Sequence, residues 1–153
     1  MQGFTAKVGT PNVFGLLQGE ANAIAPGKRP LSSMTPTVIL KDGKVFMVTG
    51  SPGGPRIITT TLHTILNVID YGMNVQEAVD APRIHHQWMP DTVYVEPNAL
   101  SPDTMRILEK KGHRFVVQEY KWSLADSIVI DPITGALHGA HDNRIPSGAA
   151  IGY

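Results

Sequence analysis

Gly50-Ser51-Pro52-Gly53-Gly54-Pro55-Arg56-Ile57-Ile58-Thr59 is the stretch on which the reading of this sequence turns. It follows a β-rich run, Val45–Thr49, and opens a run of helical period. Ile58, Leu62, Ile65 and Ile69 recur at spacings of 4, 3 and 4, and Ile57, Thr61, Leu66 and Val68 widen that stripe. The pattern predicts a helix over Pro55–Tyr71. Proline suits the first helical turn, where its missing N–H costs nothing, and Gly72 ends the helix. The junction itself holds two successive glycines, which let another group approach the backbone closely. A helix N-terminus adds unpaired N–H groups and the positive end of a dipole. Such a turn can hold an anion or serve as an oxyanion hole. It can also be no more than a tight strand-to-helix connection. It is not a phosphate P-loop, because the Lys-Ser/Thr ending is missing.

Upstream, Thr37–Leu40 and Val45–Thr49 flank Lys41-Asp42-Gly43-Lys44, and Asp-Gly is a strong hairpin signal. Residues 8–30 are rich in Gly, Pro and Asn and read as a long irregular loop. Loops of that length are usually functional or disordered. Val13, Phe14, Leu16 and Leu17 argue against disorder, which leaves a lid or a plain surface loop. Downstream, Asn74 caps a short helix Val75–Asp80, stopped by Pro82. Arg83–Trp88 and Thr92–Glu96 read as strands. Ser101-Pro102-Asp103 opens a helix to Lys111, closed by Gly112. His113–Glu119, Ser127–Asp131 and Ala136–Ala140 read as strands. This order predicts an α+β fold with residues 31–153 as its core, not a βαβ repeat.

Composition narrows the function classes. The 153 residues carry 13 basic and 13 acidic side chains and no cysteine. A neutral chain of ordinary apolar content is not disordered. It lacks the positive surplus of nucleic-acid binders or polybasic membrane binders. Disulfides, thiolate metal sites and a cysteine nucleophile are excluded. No apolar run reaches the length of a membrane span, and the residues after Met1 do not have the pattern expected of a signal peptide. The 15 glycines and 12 prolines concentrate in the 8–30 loop and at the Gly50–Pro55 junction.

Three further constellations bear on chemistry. In Arg29-Pro30-Leu31-Ser32-Ser33-Met34, paired hydroxyls could bind a carboxylate, with Lys28 or Arg29 adding charge; a turn with a capping serine explains them as well. His85 and His86 are adjacent in a strand and point to opposite faces, so they do not share a metal; one buried and one exposed histidine is the expectation. His138 and His141 would share a helix face, but the segment reads as a strand end. No metal site is expected.

Taken together, these blocks resemble the small subunit of the γ-glutamyltranspeptidases. The resemblance is carried by Lys28-Arg29-Pro30-Leu31-Ser32-Ser33-Met34-Thr35-Pro36-Thr37, Gly50–Thr59, Asp70-Tyr71-Gly72, Ala81-Pro82-Arg83-Ile84-His85-His86-Gln87-Trp88 and Gly152-Tyr153. It implies part of an N-terminal-nucleophile hydrolase fold, a four-layer αββα sandwich. It implies a self-cleaving precursor whose newly exposed Thr takes a γ-glutamyl group from glutathione or another γ-glutamyl amide and passes it to water or to an amino-acid or peptide acceptor. By the same resemblance Ser32 and Ser33 bind the substrate carboxylate, and Gly53 and Gly54 form the oxyanion hole. Phe14 occupies the lid position where a Tyr is common. The resemblance also implies the large subunit of the same precursor as partner and no cofactor; the compartment is not given by the sequence, and the resemblance favours a periplasmic or extracellular one.

Two departures qualify this picture. The family's Thr motif is absent and is expected upstream of Met1, so the chain is expected to be a partial, inactive small subunit. Met1-Gln2-Gly3-Phe4 stands where the family has Met-Asp-Asp-Phe, whose second Asp pairs with the substrate's α-ammonium. Gly3 has no side chain for that role. A glutaryl-type amide acylase of the same fold is therefore an alternative, as is a non-catalytic truncated paralogue.

Overall fold

The computed structural model describes residues 3–119 and 123–152. Met1, Gln2 and Tyr153, which belong to the family blocks quoted above, lie outside the described residues.

The Asp-Gly signal produces the expected hairpin. Strands β1 (Thr37–Lys41) and β2 (Lys44–Gly50) pair antiparallel. Asp42 and Gly43 both take positive φ, 52° and 75°, the geometry whose twist matches that of the flanking strands. β2 then pairs with β6 (Asp126–Ile130), and β6 with β7 (Leu137–Ala140), giving an antiparallel sheet in the order β1-β2-β6-β7. A smaller sheet joins β3 (Ile84–His85), β4 (Val93–Val95) and β5 (Phe115–Val117). Its β4–β5 pair is parallel, with helix α3 (Pro102–Glu109) as the crossover. These three strands are shorter than expected. Trp88, at φ 70°, turns the chain out of the extended conformation just after β3.

Helices α1 (Arg56–Ile69) and α2 (Val75–Asp80) pack on one face of the large sheet. α1 starts one residue later and ends two earlier than predicted. Asn74 caps α2 as expected: its side chain accepts from Glu77 N–H, and the Glu77 carboxylate accepts from Asn74 N–H, a reciprocal capping box. Ser101 likewise caps α3, accepting from Thr104 N–H at 3.1 Å. The fold is α+β, as the order of elements predicted.

The face that α1 buries is centred on the Ile57 and Thr61 flank of the expected stripe, not on its Ile58-Leu62-Ile69 line. Ile58, Leu62 and Ile69 are exposed, while Ile57, Thr60, Thr61 and Thr64 are buried. The reason lies in the sheet surface that α1 meets. Thr49 and Ser127 point toward it and share a buried 2.8 Å hydrogen bond. Thr61 bonds Thr35 at 3.1 Å, and Thr64 returns its proton to the Thr60 carbonyl at 3.0 Å. Threonine can bury a methyl while its hydroxyl is satisfied, as Thr61 and Thr64 do, whereas the buried Thr60 hydroxyl has no partner among the described residues; hydropathy alone does not assign this face. The apolar core is small: Val75, Val79, Ala125 and Ala140, with Val129 against them. The opposite sheet face is apolar: Val38, Leu40, Val48, Ile128 and Leu137 are exposed on it, and the segment 148–152 lies along its β7 side, where a Cβ on Gly139 would sit 3.0 Å from Ala150 Cβ.

Candidate active site

The Ser51–Gly54 turn links β2 to α1. Gly53 has φ 138° and Gly54 φ 61°, both in the region that excludes ordinary side chains. Their carbonyls start the helix, accepting from Arg56 N–H (3.3 Å) and Ile57 N–H (3.2 Å). Their own N–H groups donate to no group among the described residues. The turn therefore leaves two N–H groups at a helix N-terminus without a protein acceptor among the described residues.

Three neighbours define the turn's surroundings. From the Leu31–Met34 segment, the Ser33 hydroxyl donates to the Gly54 carbonyl at 2.9 Å. Ser32, which is exposed, accepts from Met34 N–H at 3.1 Å, a bond that does not use its own proton. The structure thus brings the serine pair and the glycine pair together across 21 residues. From the 8–30 loop, the Phe14 ring lies on Gly54: a Cβ there would sit 2.6 Å from Phe14 Cε1. The loop is irregular but ordered by polar anchors. Asn12 Oδ1 accepts from Phe14 N–H (2.9 Å) and Leu16 N–H (3.1 Å), and the buried Asn22 side chain donates to the Gly3 carbonyl (2.7 Å). A single 3₁₀ turn, Glu20–Asn22, interrupts it.

The third neighbour, Ser123, was not visible in the sequence. Its hydroxyl donates to the Pro52 carbonyl (2.9 Å) and meets the Ser51 hydroxyl at 2.8 Å. A Cβ on Gly53 would fall 2.6 Å from Ser123 Oγ and 3.3 Å from its Cα. Ser123 is held in turn by Arg83, whose guanidinium donates to the Ser123 carbonyl and to the Val79 carbonyl, both at 2.6 Å. Arg83 pairs with Asp142 (2.8 Å), Asp142 with Arg144 (2.9 Å), and Arg144 with Glu96 (2.5 Å), all nearly inaccessible. Burial opposes the Asp142 charge, but Arg83 and the hydrogen bonds from Arg83 and Arg144 outweigh it and hold the carboxyl below its ordinary range. Burial, with Arg144 adjacent, lowers the Arg83 pKa against the pull of Asp142. Arg83 sits in the Ala81–Trp88 block, but nothing in its spacing indicated that it braces a turn about 30 residues earlier in the chain.

The expected division of the adjacent histidines holds. His85 is buried and His86 faces solvent, its Nε2 3.0 Å from Asp91 Oδ1. Burial lowers the His85 pKa. His63 is lowered by burial, Arg83 and His85. His141 is bonded to Asp126 and the Ile145 carbonyl. No metal-ligand cluster of three or more His, Cys, Asp or Glu exists among the described residues.

The sequence profile of the Gamma-glutamyltranspeptidase family matches residues 1–152. A glutathione hydrolase proenzyme of Pseudomonas sp. strain A14 is 56% identical over 160 residues, covering all of this chain and 28% of its own length. The glutathione hydrolase proenzyme of Escherichia coli K12 is 54% identical over 153 residues, covering all of this chain and 26% of its own. The chain thus spans about a quarter of the length of these curated relatives. A crystal structure of a mutant Helicobacter pylori γ-glutamyltranspeptidase superimposes with a TM-score of 0.89 at 47% identity, over 94% of this chain and 78% of that one.

Proposed function

The chain belongs to the γ-glutamyltranspeptidase family, and from that premise we propose that it forms the carboxylate-binding and oxyanion-stabilising part of an enzyme that transfers or hydrolyses γ-glutamyl groups. The nucleophilic Thr and its α-amine base come from a segment of the precursor outside this chain. The Thr hydroxyl attacks the donor's γ-carbonyl and its proton passes to the α-amine. The negative charge that develops on the carbonyl oxygen meets the Gly53 and Gly54 N–H groups. Collapse expels the donor's amine, which takes the proton, and leaves an acyl-enzyme. Water or the amine of an amino acid or peptide then accepts the γ-glutamyl group.

Ser32 donates its free proton to the donor's α-carboxylate, and Ser33 adds a second bond by turning from the Gly54 carbonyl. The large subunit of the same precursor is the partner that covers the apolar outer sheet face. One observation carries this reading: the 2.9 Å Ser33–Gly54 contact, which sets the hydroxyl pair beside two open N–H donors. The test is γ-glutamyl anilide turnover by the full-length, self-processed protein. A Ser32→Ala/Ser33→Ala variant loses two charge-assisted bonds of about 1.5–3 kcal/mol each and is expected to raise KM by about 150-fold or more. An unchanged KM, or no turnover by the processed wild type, refutes the reading.

Gly3 favours a second reading. A Cβ there would lie 2.7 Å from both the Leu31 carbonyl oxygen and Pro30 Cβ, so this position offers neither a side chain nor room for one. A donor without an α-ammonium, such as a glutaryl amide, needs no such group. Comparing glutaryl and γ-glutamyl anilides decides between the two, and a strong γ-glutamyl preference removes the acylase.

A further inference from the structure

The Phe14 side chain has no polar atom with which to fasten the loop that crosses the Gly53-Gly54 turn. The fastening is instead made to its main chain. Gln87 Nε2 donates to the Phe14 carbonyl at 2.9 Å across 73 residues, and to the Met89 carbonyl at 2.9 Å. Two carbonyl acceptors fix the amide orientation, so Gln87 Oε1 is an acceptor. Its partner is His85 Nε2 at 3.0 Å, which must carry the proton. His85 Nδ1 then accepts from the Thr59 hydroxyl (2.9 Å), whose other option is the Arg56 carbonyl (3.1 Å). Thr59 and Arg56 lie in the first turn of α1, directly after the two glycines. An unbroken hydrogen-bonded chain therefore runs from the foot of α1 through buried His85 and Gln87 to the loop tip.

The tip is built to be held as a unit. Asn12 closes it from both sides, with Gly15 N–H donating to the Asn12 carbonyl (2.9 Å) and Asn12 N–H to the Leu16 carbonyl (3.0 Å). Gly15, at φ 76°, brings its backbone to within reach of both Gln87 and Pro90; a Cβ there would lie 3.7 Å from each. Gln87 grips one side of this turn while the Phe14 ring rests on Gly54 on the other.

We propose that Gln87 is a positioning residue: a latch that, with His85 behind it, holds the Phe14 tip over the oxyanion turn. Its catalytic consequence rests on the function proposed above; its structural half does not. The latched carbonyl belongs to the Phe14–Gly15 bond, which chymotrypsin cuts only after the segment lifts away. In the full-length protein, Gln87→Glu keeps the acceptor for His85 and loses the donor to Phe14. Gln87→Met removes both without adding charge, and serves if the Glu variant does not fold. Mass spectrometry follows cleavage after Phe14 against cleavage after the exposed Tyr71, which normalises for general loosening. Both variants are expected to raise the Phe14/Tyr71 cleavage ratio about 10-fold, the worth of roughly 1.4 kcal/mol. They are also expected to raise KM for the γ-glutamyl anilide while kcat changes less than twofold. A ratio within twofold of wild type overturns the latch, as does equal acceleration at both sites. A raised ratio with unchanged KM overturns its role in catalysis. Absence of turnover in the wild type refutes the proposed function, and the cleavage ratio still decides whether the latch exists.

Discussion

Replacing Gly53 by Ala perturbs the site in a way the structure lets one calculate. The residue sits at φ 138°, where an L side chain is strained by about 1–3 kcal/mol. The new methyl would also lie 2.6 Å from Ser123 Oγ, 3.2 Å from its Cβ and 3.3 Å from its Cα. Ser123 cannot retreat freely, because Arg83 holds its carbonyl at 2.6 Å. Overpacking against so fixed a neighbour adds about 1–3 kcal/mol. The sum, about 2–6 kcal/mol, is a large part of the roughly 5–15 kcal/mol that stabilises a typical domain. At Gly54 the methyl would meet only the edge of the Phe14 ring, the end of a rotatable side chain, so Gly54→Ala costs about the 1–2 kcal/mol of left-handed strain alone. Urea unfolding of the full-length protein measures both variants. Turnover should fall by about 100–1,000-fold in Gly53→Ala, because the turn must shift and carries a donor N–H with it. The double variant Gly53→Ala/Ser123→Gly removes two of the three obstructing atoms and puts glycine where φ is 63°. It should recover about 1–3 kcal/mol as a favourable coupling. Gly53→Ala with stability within about 0.5 kcal/mol and turnover within twofold of wild type would refute this account of the turn.

Arg83→Met leaves the Ser123 carbonyl without its donor, leaves the Val79 carbonyl with Arg144 alone and strips Asp142 of one of its two cations. It should cost about 3–5 kcal/mol, read as a lower urea midpoint at constant slope. Acidification should destabilise the protein in stages. His63 and His85 have pKa values lowered by burial, so the unfolded chain binds more protons than the folded one. Their contribution is full above the unfolded value near about 6.5 and is lost as pH falls below it; His63→Gln should flatten the urea midpoint between about pH 7 and 5. Asp142, also lowered, contributes above the ordinary carboxyl value of about 3.9 and gives way only as pH falls through its folded value.

The elements governed by neighbouring residues were legible. Asp42-Gly43 makes the hairpin turn, Asn74 and Ser101 cap their helices, and His85 and His86 divide between interior and solvent. The glycine and serine pairs were marked by their family blocks and Phe14 by its place in the loop before them, and the fold brings Phe14 and Ser33 to Gly54. The centre of the buried face of α1 was misread: Ile57 and Thr61 of the expected stripe are buried, but Ile58, Leu62 and Ile69 are not, because the helix's threonines meet a sheet that carries hydroxyls, a fact no helical periodicity contains. Ser123 and Gln87 gave no signal as parts of the site.

By itself the sequence determined the family, the α+β class and the strand–Gly-Gly–helix junction, since caps, turns and period act over a few residues. Only the tertiary structure decided that Arg83 and Ser123 brace that junction and that Gln87 holds the Phe14 carbonyl. Those bonds join residues up to 73 apart. Their partners are main-chain carbonyls, which every residue possesses, so no side-chain pattern could single them out before the chain had folded.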